Sequence, residues 1–299
     1  MKNDSLITVF TPTYNRAYII SNLYESLKRQ TYRNFEWLIV DDGSTDTTED
    51  LIRSFIDENR ITIFYFKQTN GGKHTAINKG VTEAKGNLFF IVDSDDYLAN
   101  DSLEKIKQYG HEIGNDSEFA GIYGLRAHFD GRVIGNQIER STLSCTLFEY
   151  RYKYGYRGDN AEVYKTNILK QYPFPKIFNE NFIAESIVWN RIARDNYKLL
   201  FFPEKIYFTK YLNDGLTRNS VKGRMKNPIG ATLLYQELSK SNIPLIFKLK
   251  SVINYWRFRF CIKIKQSNIS QNVNWGLSIF ALPIALIMHM KDVKKWKNK

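Results

Sequence analysis

Three carboxylates within four residues, Asp93-Ser94-Asp95-Asp96, follow the unbroken apolar run Leu88-Phe89-Phe90-Ile91-Val92. Like charges this close repel unless a cation lies among them. A hard divalent ion with oxygen ligands, carrying a substrate phosphate, meets that need. The structural alternative is helix capping, a common job for an aspartate after a strand. One aspartate could serve that purpose, and three exceed it. The apolar run suits a parallel strand covered on both faces, since such strands read as continuous rather than alternating. The acids then lie just past its carboxyl end, where open α/β sheets bind ligands.

The elements that must position these acids alternate along the chain. Residues 6–11 are rich in β-branched types and read as a first strand. Thr11-Pro12-Thr13-Tyr14-Asn15-Arg16 ends it, and Asn15 is expected to cap a helix to about Gln30 in which Ile20, Leu23, Tyr24 and Leu27 recur at helical spacing. Residues 35–40 form a second strand, closed by the turn cluster Asp41-Asp42-Gly43-Ser44-Thr45-Asp46 before a helix around residues 49–56. A third strand over 61–66 leads to Asn70-Gly71-Gly72-Lys73-His74, which opens a helix carrying Ala76, Ile77, Gly80, Val81 and Ala84 on one face. Such alternation specifies an α/β fold, a mainly parallel sheet flanked by helices and joined by right-handed crossovers. Neither Gly-x-Gly-x-x-Gly after the first strand nor a P-loop is present. Phosphate charge must be met otherwise, by Asp93, Asp95 and a metal, with Lys73 as a candidate assistant. His74, a lone histidine at a helix start, reads as a local hydrogen-bonding residue.

Charge divides the chain. The 299 residues carry a net +12, yet residues 222–299 hold 15 Lys or Arg against two acids, Glu237 and Asp292, while the first 221 hold 28 basic and 29 acidic groups. The division expected is therefore residues 1–221, with a nucleotide-binding half 1–100 and an acceptor and base half 101–221, followed by a helical basic extension 222–299. Two distant cysteines, Cys145 and Cys261, show no metal-ligand spacing and point to a reducing compartment. No basic segment followed by a long apolar stretch opens the chain, so no leader is expected. In the middle, Asp130-Gly131 between residues 120–129 and 132–134 predicts a hairpin. The four tyrosines of residues 150–156 suit stacking on sugar rings and core packing equally.

Together, Thr11-Pro12-Thr13-Tyr14-Asn15-Arg16, Val40-Asp41-Asp42-Gly43-Ser44-Thr45-Asp46, Asn70-Gly71-Gly72-Lys73 with Ala76 and Asn78, and Asp93-Ser94-Asp95-Asp96 resemble the family 2 glycosyltransferases of bacterial surface-polysaccharide type, in that family's order and over the first third of the chain. The resemblance implies the Rossmann-like GT-A fold, a UDP-sugar donor and Mn²⁺ or Mg²⁺. By position it places Thr11, Pro12, Tyr14 and Asp41 at the uracil, Asn70 and Lys73 at base or diphosphate, Asp93 and Ser94 at the ribose, and Asp95 on the metal. Asp96 is a further candidate, either orienting its neighbours or capping a helix.

Residues 182–192 look like the family's later signature, an acidic pair opening a helix with an aromatic, Trp189, and an arginine downstream. Glu185, six residues before Arg191, takes the base position, and Ala184 replaces the first acid. A carboxylate favoured by a helix amino terminus is the structural alternative for Glu185. Residues 211–218, with Asp214 and Arg218, stand where related enzymes supply a basic residue or histidine to metal or diphosphate. These assignments describe an inverting, metal-dependent transfer to a hydroxyl of a lipid-linked or cell-surface glycan. A catalytically inactive nucleotide-sugar-binding protein and a nucleotidyltransferase are the alternatives.

In the extension, Ile246, Leu249, Ile253, Trp256 and Phe260 recur at helical spacing among basic residues, predicting a basic amphipathic helix. Residues 275–290 then run 16 positions without a charge before Lys291 and a basic tail. A spanning helix needs about 20 apolar residues. The expectation is a peripheral seat on an anionic membrane at its cytoplasmic face, with Trp275 and Trp296 near the headgroups, and no nucleic-acid partner.

Overall fold

The computed structural model describes residues 5–136, 141–209, 220–262 and 273–297. The chain forms two compact units, one of residues 1–173 and 195–210, the other of 174–194 and 211–299. Their border differs from the composition change near residue 221, because residues 174–194 belong with the carboxyl-terminal helices.

The first unit runs β1 (Ile7–Thr13), α1 (Ser21–Lys28), β2 (Phe35–Asp41), α2 (Thr48–Glu58), β3 (Ile63–Lys67), α3 (Lys73–Glu83), β4 (Leu88–Ile91), β5 (Tyr97–Leu98), α4 (Ser102–Ile113), β6 (Phe119–His128), β7 (Leu143–Thr146), a π-helical turn (Glu149–Lys153), β8 (Asn160–Lys165), α5 (Thr166–Leu169) and β9 (Lys198–Thr209). The strands join in one sheet in the order β3-β2-β1-β4-β8-β6-β9-β5, with β7 also on β9. β1 pairs parallel with β2 and β4, and β2 with β3. β8 is antiparallel to both β4 and β6, and β6 is parallel to β9. The sheet is thus mixed, with the expected parallel half at the amino terminus. Strand order grows away from β1 on one side and resumes with β4 on the other, so a crevice opens between their carboxyl ends.

Every residue of β1, β2 and β4 is buried, which explains the unbroken apolar run of β4. Alternate residues serve opposite faces. On one face Trp37 joins Tyr24 of α1 and Phe55 of α2, the latter two stacked at 4.0 Å. On the other, Phe10 stacks on Phe89 at 5.0 Å with Gly80 of α3 against the Phe10 ring. Inside sits Glu36, whose carboxylate accepts from the Thr8 hydroxyl at 2.6 Å and the Lys85 amide at 2.9 Å. The Thr8 hydroxyl in turn accepts from the Gly86 amide at 2.9 Å, so the entry to β4 is tied to β1 and β2.

Two local expectations change. Asn15 does not cap α1, which starts at Ser21. It takes a left-handed conformation (φ 52°), and its side-chain oxygen accepts from the Thr45 and Asp46 amides at 2.8 and 3.3 Å. The side chain serves the loop after β2 rather than its own helix. In the tyrosine stretch, Tyr150 is buried with its ring 3.8 Å from Phe201, whereas Tyr154 is exposed. The hairpin at residues 130–131 is present as a short one, with Gly131 at φ 83° and Ala127 bridged to Val133.

The second unit contains α6 (Ser186–Arg194), α7 (Ser220–Lys226), α8 (Pro228–Lys240), α9 (Leu245–Arg259) and α10 (Trp275–Lys297). Arg191 forks onto Glu237 at 2.9 and 2.7 Å, joining α6 to α8. The buried Glu180 caps α8 with both carboxylate oxygens, each 2.6 Å from an amide, of Ile229 and of Gly230. In α9 the predicted apolar stripe divides, with Trp256 bonded to Ser278 of α10 while the fully buried positions are others. Ser251, Val252, Tyr255 and Phe258 face inward, with Phe258 stacked on Tyr235 of α8, and Ile246 and Phe260 are exposed.

A tight approach of β6 to β8 supplies a test of the sheet. A Cβ on Gly121 would collide with the Val163 carbonyl oxygen. Ordinarily alanine is better than glycine in a strand. Here Gly121→Ala is expected to lower unfolding free energy by about 1–3 kcal/mol, the usual cost of overpacking, as read by denaturant titration.

Candidate active site

The carboxyl ends of β2, β1 and β4 adjoin at the crevice. Thr13 stands opposite Asp41 in register, the Asp42 amide donates to the Thr13 carbonyl at 2.8 Å, and the Val92 amide donates to the Phe10 carbonyl at 2.8 Å. These bonds carry the strand geometry to the point where the acids begin.

At the end of β4 the three carboxylates occupy different environments. Asp93 receives the Lys73 ammonium at 2.5 Å, from the first turn of α3. Burial pushes the Asp93 carboxyl up, but the charges of Lys73 and Arg126 outweigh it and hold the carboxyl below the usual range. For Asp95, burial and then the negative charge of Asp93 raise the carboxyl, with Arg16 opposing. Asp96 is buried, and burial together with Asp93 pushes it up to about 7. One oxygen of Asp96 accepts from the Tyr207 hydroxyl at 2.7 Å, and the other is buried without a hydrogen-bond partner. Tyr207, on β9, also accepts from the Asp93 amide at 2.9 Å, so a single phenol spans the turn. The Arg126 guanidinium, on β6, lies 4.0 Å from the Tyr207 ring centre and 3.6 Å from Glu162. Burial disfavours its charge, and the surrounding Tyr207, Glu162, Asp93 and Asp96 more than offset that.

The loop before α3 is organised by another acid. Asp42 accepts from the Gly71 amide at 2.9 Å and the Gln68 side chain at 2.8 Å on one oxygen, and from the Gly72 amide at 2.8 Å on the other. Gly72 sits at φ 90°, a conformation that favours glycine. Lys73 is thereby delivered to Asp93. Asp41 is fully buried, with the Ser44 amide at 2.7 Å and the Tyr65 hydroxyl at 2.8 Å on its two oxygens.

The structure gathers Thr11, Pro12, Asp41, Lys73, Asp93, Ser94, Asp95 and Asp96 at this sheet edge. Tyr14 is exposed just beyond β1, and Asn70 is exposed in the loop that Asp42 ties down. Thr11 is buried, its hydroxyl accepting from the Trp37 indole at 2.9 Å. His74 is also buried, with Nδ1 lacking a partner, and burial lowers its imidazole. Glu185 and Trp189 belong to the second unit. Glu185 immediately precedes α6, its carbonyl accepting from the Val188 amide at 3.0 Å, and Trp189 is buried against Phe174. Asp214 and Arg218 lie outside the described residues. Sequence reasoning missed Asp42, Arg16, Arg126 and Tyr207 as members of the cluster. A signal was available for Arg126, an arginine inside the otherwise apolar strand Gly121-Ile122-Tyr123-Gly124-Leu125-Arg126-Ala127.

Among the described residues no group of three or more His, Cys, Asp or Glu side chains could hold a metal alone. Asp95, raised by burial and by the charge of Asp93, and the buried oxygen of Asp96 without a hydrogen-bond partner offer carboxylate oxygens to a ligand. That donor set fits a divalent ion that takes one or two carboxylates and completes its shell with phosphate oxygens and water.

The sequence pattern of the family described as Glycosyl transferase family 2 matches residues 8–172, more than half the chain. The chain belongs to this family. Over 142 residues it is 38% identical to an uncharacterized glycosyltransferase of Haemophilus influenzae, a match covering 48% of this chain and 54% of that protein. Glycosyltransferase GlyA of Streptococcus pneumoniae is 28% identical over 72% of this chain but only 32% of its own length. Several relatives thus extend well beyond the matched region. The Campylobacter jejuni GalNAc(5)-diNAcBac-PP-undecaprenol β-1,3-glucosyltransferase is 26% identical over 78% of this chain and 73% of that protein. Among solved structures, S. aureus TarS 1–349 in complex with UDP-GlcNAc aligns with a TM-score of 0.62 at 20% identity, over 94% of this chain and 81% of that one. The mannosyltransferase PcManGT of Pyrobaculum calidifontis, solved with GDP-Man and Mn²⁺, gives 0.58 at 16% identity, over 100% and 89%. These neighbours have the GT-A fold, and this chain shares it.

The Asp42 arrangement is directly testable. Asp42→Asn would set an amide donor against the Gly71 or Gly72 N–H. Loss of at least one buried hydrogen bond is expected to cost about 1–3 kcal/mol in chemical denaturation. Amide exchange at Gly71 and Gly72 should accelerate relative to the β1 and β2 amides.

Proposed function

We propose that this family 2 glycosyltransferase moves a sugar from a UDP-sugar to a hydroxyl of a lipid-linked or cell-surface glycan, with inversion and with a divalent metal. The observation that carries the proposal is the carboxylate cluster Asp93, Asp95 and Asp96 past β4 at the β1/β4 crevice, with Lys73 on Asp93 and a buried Asp96 oxygen that has no hydrogen-bond partner. A bound nucleotide sugar in TarS and Mn²⁺ in PcManGT support the donor class and the metal. The C. jejuni relative, named for an undecaprenol-linked substrate, supports the acceptor class.

In this mechanism Asp41, Pro12 and Tyr14 form the base pocket, and Asp93 takes the ribose. Asp93 is held ionised by Lys73 and Arg126 and is fixed through its amide by Tyr207. Asp95, with Asp96 beside it, would hold Mn²⁺ or Mg²⁺, which when bound neutralises charge on the departing diphosphate. Lys73 lies at the start of α3, whose amino terminus favours anions. Glu185 is assigned the base on its sequence position: it takes the proton of the acceptor hydroxyl, whose oxygen attacks the anomeric carbon as UDP leaves. A glycan of this kind lies at a membrane surface, and the basic stretch 222–299 suits an anionic one. A second reading, nucleotide-sugar binding without turnover, is favoured by Ala184 in place of the first acid.

UDP release from a panel of UDP-sugars, with and without Mn²⁺, tests the proposal. One donor should turn over only with metal. Asp95→Asn should lower kcat/KM by about 10²-fold or more and weaken metal-dependent UDP binding. Glu185→Gln should lower transfer by about 10²–10⁴-fold with UDP binding retained. Near-normal turnover by that variant would remove the base role from Glu185, and pyrophosphate in place of UDP would identify a nucleotidyltransferase.

A further inference from the structure

The helix α10 is packed inside out. Its contact with α9 is made by small and polar side chains. Ser278, Ala281 and Ala285 are fully buried at helical spacing, the Trp256 indole donates to the Ser278 hydroxyl at 3.0 Å, and Arg257 forks onto Asp292 at 2.6 and 2.9 Å. Its large apolar side chains point the other way. Ile279, Phe280, Ile284, Ile287 and Met290 are between 45% and 70% exposed, while Trp275 at the start of the helix lies against Trp256 of α9. No exposed position from 275 to 290 along this helix carries a polar side chain, and the exposed positions that follow, 291, 294 and 295, are lysines. A helix in water shows the reverse pattern, whereas small residues at the helix contact and large ones outward belong in lipid.

We propose that the outer face of α10 is the seat of this protein on an anionic lipid surface, the apolar side chains entering the acyl boundary and Lys291, Lys294 and Lys295 meeting the headgroups. The inference rests on the acceptor being membrane-borne, as proposed above, and adds the surface that does the docking. Charge selects the occupant. Both acids of residues 222–299 are paired within the unit, Glu237 with Arg191 and Asp292 with Arg257, and the stretch carries 15 basic residues. A second copy would bring like charge against like, and an anionic bilayer brings the opposite. By length and composition Trp275–Trp296 could also cross a membrane, but the Arg257–Asp292 pair on α10 and the lysines that follow its apolar face suit a helix lying in the interface. Ile246, exposed at the start of α9, is a further apolar side chain in the same unit.

Flotation of the full chain on phosphatidylcholine vesicles, with and without phosphatidylglycerol, is the test, with UDP binding measured in parallel. The wild type should float with the anionic vesicles and less so as salt rises. Ile279→Asp with Ile287→Asp should reduce binding roughly tenfold or more at low salt. Because both residues are exposed, its denaturation midpoint and UDP affinity should be unchanged. Lys294→Gln with Lys295→Gln should remove mainly the salt-sensitive part. Unchanged flotation of the aspartate variant would overturn this face as the seat while leaving membrane attachment standing. A wild type that floats with no vesicle would overturn both, and UDP binding would still report separately on the nucleotide site. A dimer in light scattering, broken by the aspartate pair, would assign the face to a second copy and overturn the lipid seat.

Discussion

Like charge crowded at one strand end governs the amino-terminal unit. Two carboxylates about 4 Å apart repel by roughly 4 kcal/mol at the effective dielectric of a protein surface, and the turn after β4 carries three. The fold meets this with groups brought from distant strands and helices. Lys73 arrives from α3, Arg126 from β6 and Tyr207 from β9. Each of them requires a particular strand order. If β6 and β9 did not follow β8 across the sheet, Asp93 would lose the second cation that holds it ionised, and the turn would lose the phenol spanning it.

The same constraint reaches backward along the chain. Lys73 can pair with Asp93 only if the loop before α3 is fixed, and that loop is fixed by Asp42 through two glycine amides. Asp42 itself follows directly on β2, whose amide bonds to β1 set its height. Asp41 and Asp42, adjacent in sequence, thus have different tasks: one closes its own turn and Tyr65, the other builds the neighbouring loop. What remains without a hydrogen-bond partner, one buried oxygen of Asp96 beside Asp95, is where a cationic ligand can bind with gain rather than cost.

The carboxyl-terminal unit solves the opposite problem. Its residues 222–299 are strongly basic, and their two acids, Glu237 and Asp292, serve as ties between helices. Glu180 does similar work, spending a buried carboxylate on two amides at the start of α8, where the helix dipole favours it. With acids turned inward and apolar bulk turned outward on α10, the unit's outer surface is suited to a medium that is both oily and negative.

Much of the architecture was legible in the residues alone. Strand and helix alternation, the parallel half of the sheet and the position of the acids past β4 follow from local periodicity, which needs no partner to be read. The family's motifs added the roles that chemistry assigns to each turn. Other features were decided by contacts across long separations, which single-sequence patterns do not encode. Asn15 looked like a helix cap and serves a loop thirty residues on. Arg126 and Tyr207 lie far along the chain from the acids they stabilise, so neither stood out in sequence beside Asp93 and Asp96. In α9 the apolar spacing showed an amphipathic helix but not which residues pack, because α8 meets Phe258 while α10 meets Trp256. Sequence determined which residues carry charge and which segments are apolar. Tertiary structure decided which charges neutralise one another and which apolar faces stay uncovered, because both depend on what the fold places opposite them.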